Sequence, residues 1–261
     1  MRTPCPAVRR IASYAAALLA VGLCSGGGVV HDAPRALAAP LPSPCTAARV
    51  SCTAAALSAR SVDGRALRAV HVGSRQGPAV LVFGAVHGNE SAGIAVARDL
   101  LADAALIQTN VWVVADLNPD GVARGTRQNA RSVDLNRNFP WRWQRVGQPG
   151  DFAYPGPRVL SEPESRFAFD LITHLRPTVT IWFHQPLGVV DASGGSLRVE
   201  RRFAARVGLP VRRLQRYRGS ATTWQDHRVR GSTAFVVELP RGPLAKAAVE
   251  RYAHAVELAA R

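Results

Sequence analysis

Short apolar runs, rich in β-branched residues, recur along the chain and alternate with stretches whose apolar residues fall at helical spacing. Ala79-Val80-Leu81-Val82-Phe83 is continuous, as expected for a strand buried on both faces. Val111–Val114, Val179–Phe183 and Ala234–Val237 repeat the pattern and predict three further strands. Between the first two, Ile94, Ala97 and Leu101 mark one face of a helix over Ser91 to Leu106. A last helix is predicted from Leu244 to Ala260. Upstream, Ser61 to Val72 alternates around Asp63-Gly64, a hairpin signal. Ser161-Glu162-Pro163-Glu164 reads as a capping box with Pro in the first turn, opening a helix that runs to Leu175, before Pro177. Asn118-Pro119-Asp120-Gly121 reads as a turn. Strands alternating with helices predict an α/β fold with helices on both faces of the sheet.

The N-terminus follows another logic. Arg2, Arg9 and Arg10 precede an apolar run from Ile11 to Leu23, then small residues and Ala36-Leu37-Ala38. That order predicts a secretory leader over 1–38, with a retained membrane anchor as the alternative; the run is short for a span. Residues 39–59 are rich in Pro, Ala, Ser and Thr and read as a linker, leaving 60–261 as a single domain. Cys45 and Cys52, the only cysteines beyond the leader, would close a small loop in an oxidising compartment or remain thiols. Secretion or residence in the cell envelope is therefore the expectation.

The formal net charge is +15, almost all of it from arginine. No helix-turn-helix, zinc-finger or RNA-binding signature accompanies it, so nucleic acid is not the expected partner. For an exported chain, electrostatic association with an anionic envelope fits better, beside the plainer reading of a solvated basic surface. Oligomeric state is not encoded in any pattern found.

Candidate chemistry gathers just past the predicted strand ends. His87 and Glu90 follow the first strand, His184 directly follows the third, and Glu238 ends the fourth. Open α/β sheets bind ligands beyond the carboxyl ends of their strands, so distant segments deliver two imidazoles and two carboxylates to one edge. Two His and one Glu form a common catalytic zinc set that leaves a position for water. A further carboxylate nearby can take that water's proton.

With Asn118-Pro119-Asp120-Gly121, Asp134-Leu135-Asn136-Arg137-Asn138-Phe139, Ser161-Glu162-Pro163-Glu164, His184-Gln185-Pro186, Gly219-Ser220 with Trp224, and Val237-Glu238-Leu239, the chain from about Ser61 to Leu239 resembles the zinc metallocarboxypeptidase family, and within it the murein-peptide amidase branch. The resemblance implies a mixed, twisted sheet and one Zn2+ held by His87, Glu90 and His184, with Glu238 as general base. It implies that Asn136 and Arg137 grip a terminal carboxylate and that Asp134 orients His87. One arginine would steady the oxyanion; Arg124 is favoured over Arg127, which is left to substrate binding. Tyr217 is the nearest candidate for the family's mobile tyrosine.

The implied reaction is hydrolysis of the bond between γ-D-glutamate and a diamino acid in a cell-wall peptide, or in another short acidic peptide. Two rivals stand beside it. One is a zinc N-acyl amino acid amidohydrolase of the desuccinylase or aspartoacylase kind; the complete Asn136–Phe139 run and the Gly219–Trp224 segment favour the peptide branch. The other is a non-catalytic envelope-binding protein. A serine hydrolase is excluded by the lack of a Gly-x-Ser-x-Gly elbow.

Overall fold

The structure, a computed structural model, describes residues 57–192 and 194–261. The expected leader, nearly all of the linker, and Cys45 and Cys52 lie outside the described residues.

The strands are β1 (Leu57–Arg60), β2 (Ala66–Gly73), β3 (Ala79–Phe83), β4 (Asn110–Val114), β5 (Val179–His184), β6 (Leu187–Asp191), β7 (Val211–Arg212) and β8 (Thr233–Pro240). They form one sheet in the order β1-β2-β4-β3-β5-β8-β6-β7. Its centre, β4-β3-β5-β8, is parallel, whereas β1, β2 and β6 run antiparallel to their inner neighbours. The four runs read as strands are these central four, and their continuous apolar character follows from burial on both faces. β1 begins inside the segment read as linker, because its pairing with β2 completes the hairpin around Gly64, whose φ is 79°.

Helices α1 (Ala92–Ala102), α4 (Leu197–Val207) and α6 (Lys246–Glu257) pack on one face of the sheet through Val96, Phe203, Tyr252 and Val256. Helices α3 (Pro163–Leu175) and α5 (Ala221–Arg228) pack on the other, through Phe167, Leu171 and Trp224. Trp182 on β5 anchors this second core; its ring stacks on Phe83 at 3.8 Å and meets Phe139 edge-on at 6.1 Å.

Three local expectations need correction. The first helix stops at Ala102, well short of Leu106, which is exposed in the following turn. Asn118-Pro119-Asp120-Gly121 opens a short helix, α2 (Pro119–Arg124): the Asn118 side chain accepts from the Gly121 N–H, and Pro119 sits in the first turn where its missing N–H costs nothing. The capping box does not form. The cap residue of α3 is Glu162, with no side-chain cap bond, and the buried Ser161, Glu162 and Glu164 side chains point to another task. Asn129 Nδ2 donates to Glu162 (2.8 Å) and Glu164 (3.1 Å), and Asn138 Nδ2 donates to Ser161 Oγ (3.0 Å). These bonds pin both ends of the 129–138 loop against α3.

Candidate metal centre and its pocket

The site lies where β3, β5 and β8 end. β3 and β5 are parallel and in register, so the residues that leave them emerge side by side. The loop after β3 carries His87 and Glu90. It is held by Asn118 Nδ2, which donates to both Val86 O and Arg127 O at 3.2 Å and so ties that loop to the one after α2. The two loops touch backbone to backbone, since a Cβ on Gly88 would run into Gly121; only glycine fits there. His184 is the last residue of β5 and stands opposite Glu238 on β8. The peptide bond that follows, Gln185–Pro186, is cis.

His87, Glu90 and His184 are brought together, with one donor atom of each within 4.8 Å of the others. Glu90 sits between the imidazoles: Oε1 lies 3.0 Å from His87 Nδ1 and Oε2 lies 2.8 Å from His184 Nδ1. The far nitrogen of His87, Nε2, is 3.0 Å from Asp134 Oδ1, so its N–H donates to that carboxylate and leaves Nδ1 facing Glu90. Burial raises the Glu90 pKa, but the two imidazoles outweigh it and hold the carboxyl far below the usual range. Burial also opposes ionisation of Asp134, and is overcome by His87, Arg137 and Arg127. His87 is pushed down by burial and further up by Asp134 and Glu90, ending above its ordinary value.

The donor set suits zinc. Two imidazole nitrogens and one ionised carboxylate converge, and one ring is fixed through its second nitrogen. A guanidinium also faces two of the donors. That guanidinium belongs to Arg127. Its NH1 donates to Glu90 Oε1 at 3.0 Å, and its Nε and NH2 donate to Asp134 Oδ2 at 3.2 and 2.9 Å. Arg124 is placed elsewhere. Its side chain is 45% exposed, against 13% for Arg127, and it pairs with Asp63 at 2.7 Å on the surface. The structure thus places Arg127, and not the favoured Arg124, beside the ligand cluster. Arg124 closes α2, where Gly125 in the left-handed conformation turns the chain, and only three residues later does the backbone reach the pocket.

A pocket of about 300 Å³ opens over this cluster, lined among others by Arg127, Asn136, Arg137, Tyr217 and Glu238. Asn136 and Arg137 lie in a single 3-10 turn, Leu135–Arg137, capped by Asp134, whose side chain accepts from Asn136 N–H. Arg137 is buried and, among the described residues, enters no ion pair; its charge faces the pocket with the Tyr217 ring 4.1 Å away. Asn136 Oδ1 accepts from the first N–H of α5, at Ala221, coupling the turn to the Gly219-Ser220 segment. Gly219 is needed here, with φ 69° and the Arg137 backbone where a Cβ would stand. Tyr217, 46% exposed, stands at the pocket mouth. Among the described residues, Glu238 Oε2 is buried without a hydrogen-bond partner, and burial raises the Glu238 pKa against the pull of His184.

Phe152 lines the pocket without having been singled out from the sequence, and Gln185, quoted there only within His184-Gln185-Pro186, lines it without having been given a role. Gln185 N–H donates to Glu90 Oε2 at 3.2 Å, while its side chain accepts from Ala92 N–H and donates to Pro240 O and Gly242 O. It thus braces the metal-binding edge between α1 and β8. Its place next to His184 was the available signal.

Converging His, Glu and His donors with a carboxylate one strand away define a metal-dependent hydrolase. The chain belongs to the zinc carboxypeptidase family, whose model matches residues 49–190. It is 31% identical to murein peptide amidase A of Vibrio campbellii over 173 residues, 61% of this chain and 68% of that one. It is 31% identical to murein peptide amidase A of Escherichia coli K12 over 122 residues, 42% of this chain; that match spans only half of the relative's length. The crystal structure of a murein-tripeptide amidase from Escherichia coli O157 superposes with a TM-score of 0.62 at 28% identity, covering 77% of this chain and 90% of the other. The expected fold, a mixed sheet with helices on both faces, is the one observed.

Proposed function

We propose that this protein is a zinc-dependent amidase that cleaves the bond between γ-D-glutamate and the following diamino acid in cell-wall peptides. One juxtaposition carries the reading: the His-Glu-His set, Glu238 and the buried, ion-pair-free Arg137 share one pocket. Such a pocket suits a substrate with an amide to hydrolyse and a carboxylate to anchor. The names of the relatives supply the substrate class.

His87, Glu90 and His184 would hold a single Zn2+, with Asp134 fixing the ring of His87. The metal, when bound, supplies Lewis-acid polarisation and an acidified water. Glu238 takes that water's proton on the unpartnered Oε2 and returns it to the departing nitrogen, which leaves as an amine. Its buried position makes it the stronger base. Arg127, whose NH1 donates to Glu90 beside the metal-binding cluster, would steady the negative charge that grows on the carbonyl oxygen. Arg137 and Asn136 take the terminal carboxylate, and Tyr217 covers the Arg137 face of the pocket.

The leader-like N-terminus and the +15 charge support action at the cell envelope, where acidic wall peptides are drawn to a basic surface. The test is mass spectrometry of a defined muropeptide after incubation with zinc-loaded protein, beside N-succinyl glutamate. Release of the diamino acid-containing product from the muropeptide alone is expected. Turnover of N-succinyl glutamate alone would move the function to the amidohydrolase rival, and turnover of neither would refute an enzymatic role on these substrates.

A further inference from the structure

Three arginines line the pocket, and two of them, Arg127 and Arg137, sit over the face of an aromatic ring. Tyr217 covers Arg137 at 4.1 Å and Phe152 covers Arg127 at 4.3 Å. Phe152 is 70% exposed, an unusual place for a phenyl ring unless something holds it. The loop around it is built to do so. Gln128 Nε2 donates to the carbonyls of Asp151 and Phe152 at 3.2 and 3.3 Å. The Asp151 carboxylate accepts from Gln148 N–H at 2.9 Å, and its carbonyl accepts from Tyr154 N–H at 3.1 Å. Asp134 N–H donates to Tyr154 O at 2.8 Å. The loop is thus fastened at Gln128, the neighbour of Arg127, and at Asp134, the carboxylate that Arg127 grips.

The in-plane donors of Arg127 are directed at Asp134 and Glu90. Those bonds leave the rest of the guanidinium open to water, and the Phe152 ring lies 4.3 Å from its central carbon. We propose that Phe152 is a positioning residue: its ring holds the Arg127 guanidinium with NH1 turned toward the metal-binding cluster and shields it from solvent. A shielded, pre-aimed donor stabilises a developing oxyanion more than a hydrated, mobile one. The proposal rests on the oxyanion role given to Arg127 above.

Steady-state kinetics on the muropeptide, with calorimetric binding of a phosphinate peptide that mimics the tetrahedral oxyanion, tests it. Phe152→Ala should lower kcat about tenfold, between the sizes of an exposed and a fully desolvated cation–π contact, with KM within about twofold. Phe152→Tyr should restore the rate and Phe152→Leu, which keeps bulk without a π face, should not. Affinity for the phosphinate should weaken with kcat, while zinc content, Tm and affinity for the cleaved product stay unchanged. In an Arg127→Ala background the Phe152→Ala loss should vanish, since the ring acts only through that guanidinium. A wild-type rate in Phe152→Ala, full activity in Phe152→Leu, or the same loss in both backgrounds would overturn the proposal. Full activity in Arg127→Ala itself would instead remove the role of Arg127 on which it stands.

Discussion

His184 and Glu238 face each other across the parallel strands β5 and β8, in direct register. The ladder fixes the distance between an expected metal ligand and the expected base by backbone hydrogen bonding, with no help from loop conformation. Neighbouring strands lie about 4.8 Å apart, so the two side chains are held as neighbours at one sheet edge. Glu90 then joins His184 to His87 and completes the cluster.

This register makes Glu238 the sharpest target for mutation. Glu238→Gln keeps the shape of the side chain and removes its basicity. Turnover should fall by at least about a thousandfold. Zinc stoichiometry by elemental analysis should remain that of the wild type, because Glu238 is not among the three clustered donors. Substantial activity in the variant would reassign the base.

The two arginines of the 124–127 segment should separate cleanly. Arg127→Ala should lower kcat by about 10²–10³, the usual range for loss of an oxyanion donor. Arg124→Ala should leave kcat and KM within about twofold, because its guanidinium meets Asp63 on the surface. The reverse pattern in kinetic assays would restore the assignment made from sequence position.

Asp134 holds His87 on one side and Arg127 on the other. Asp134→Asn should therefore weaken zinc affinity by about 10–100-fold, measured by competition with a chelator. It should also lower kcat in zinc-saturated protein, since Arg127 loses its carboxylate partner. Unchanged zinc affinity would exclude Asp134 from supporting the metal.

Away from the pocket, stability should depend on two acids, the buried Glu200 and the half-buried Asp226. Glu200, on α4, is fully buried, and neither of its oxygens is hydrogen-bonded among the described residues. Burial, with Asp226 and Asp191 close by, pushes its pKa up to about 8, and burial pushes Asp226 up to about 7. Both bind protons more tightly in the folded state than in the unfolded one. Their contribution to stability is present at pH values below their ordinary carboxylate range and is lost as pH rises through the shifted values. Thermal unfolding should show Tm falling by several degrees between about pH 5 and pH 8. Glu200→Gln should flatten that slope; identical slopes in the two proteins would contradict the assignment.

Much of the central sheet was readable from the chain alone. Ala79–Phe83, Val179–Phe183 and Ala234–Val237 are apolar on both faces, a pattern that only burial in a parallel sheet rewards, and the residues just past them are the candidate ligands and base. The His87, Glu90, His184 and Glu238 quartet follows from that, because a strand end is a place in space as well as in sequence. The β6-β7 edge was not readable: the apolar residues of β6 are broken by Gly188, β7 has two residues, and α5, Ala-Thr-Thr-Trp-Gln-Asp-His-Arg, has little amphipathic character beyond Ala221 and Trp224.

The remaining assignments belonged to tertiary structure. Ser161-Glu162-Pro163-Glu164 has the local form of a cap, yet Asn129 and Asn138 compete for those oxygens from across the fold and win. Arg124 and Arg127 are equivalent by type and nearly so by position, and the left-handed turn at Gly125 decides which one enters the pocket. Phe152 carries no signal in the sequence at all; its meaning comes from the guanidinium beneath it. Hydrophobic periodicity is local and survives in a linear text, so the sequence determined the sheet and what stands at its strand ends. Which polar side chains meet depends on loop paths set by contacts between distant residues, and that only the folded structure could decide.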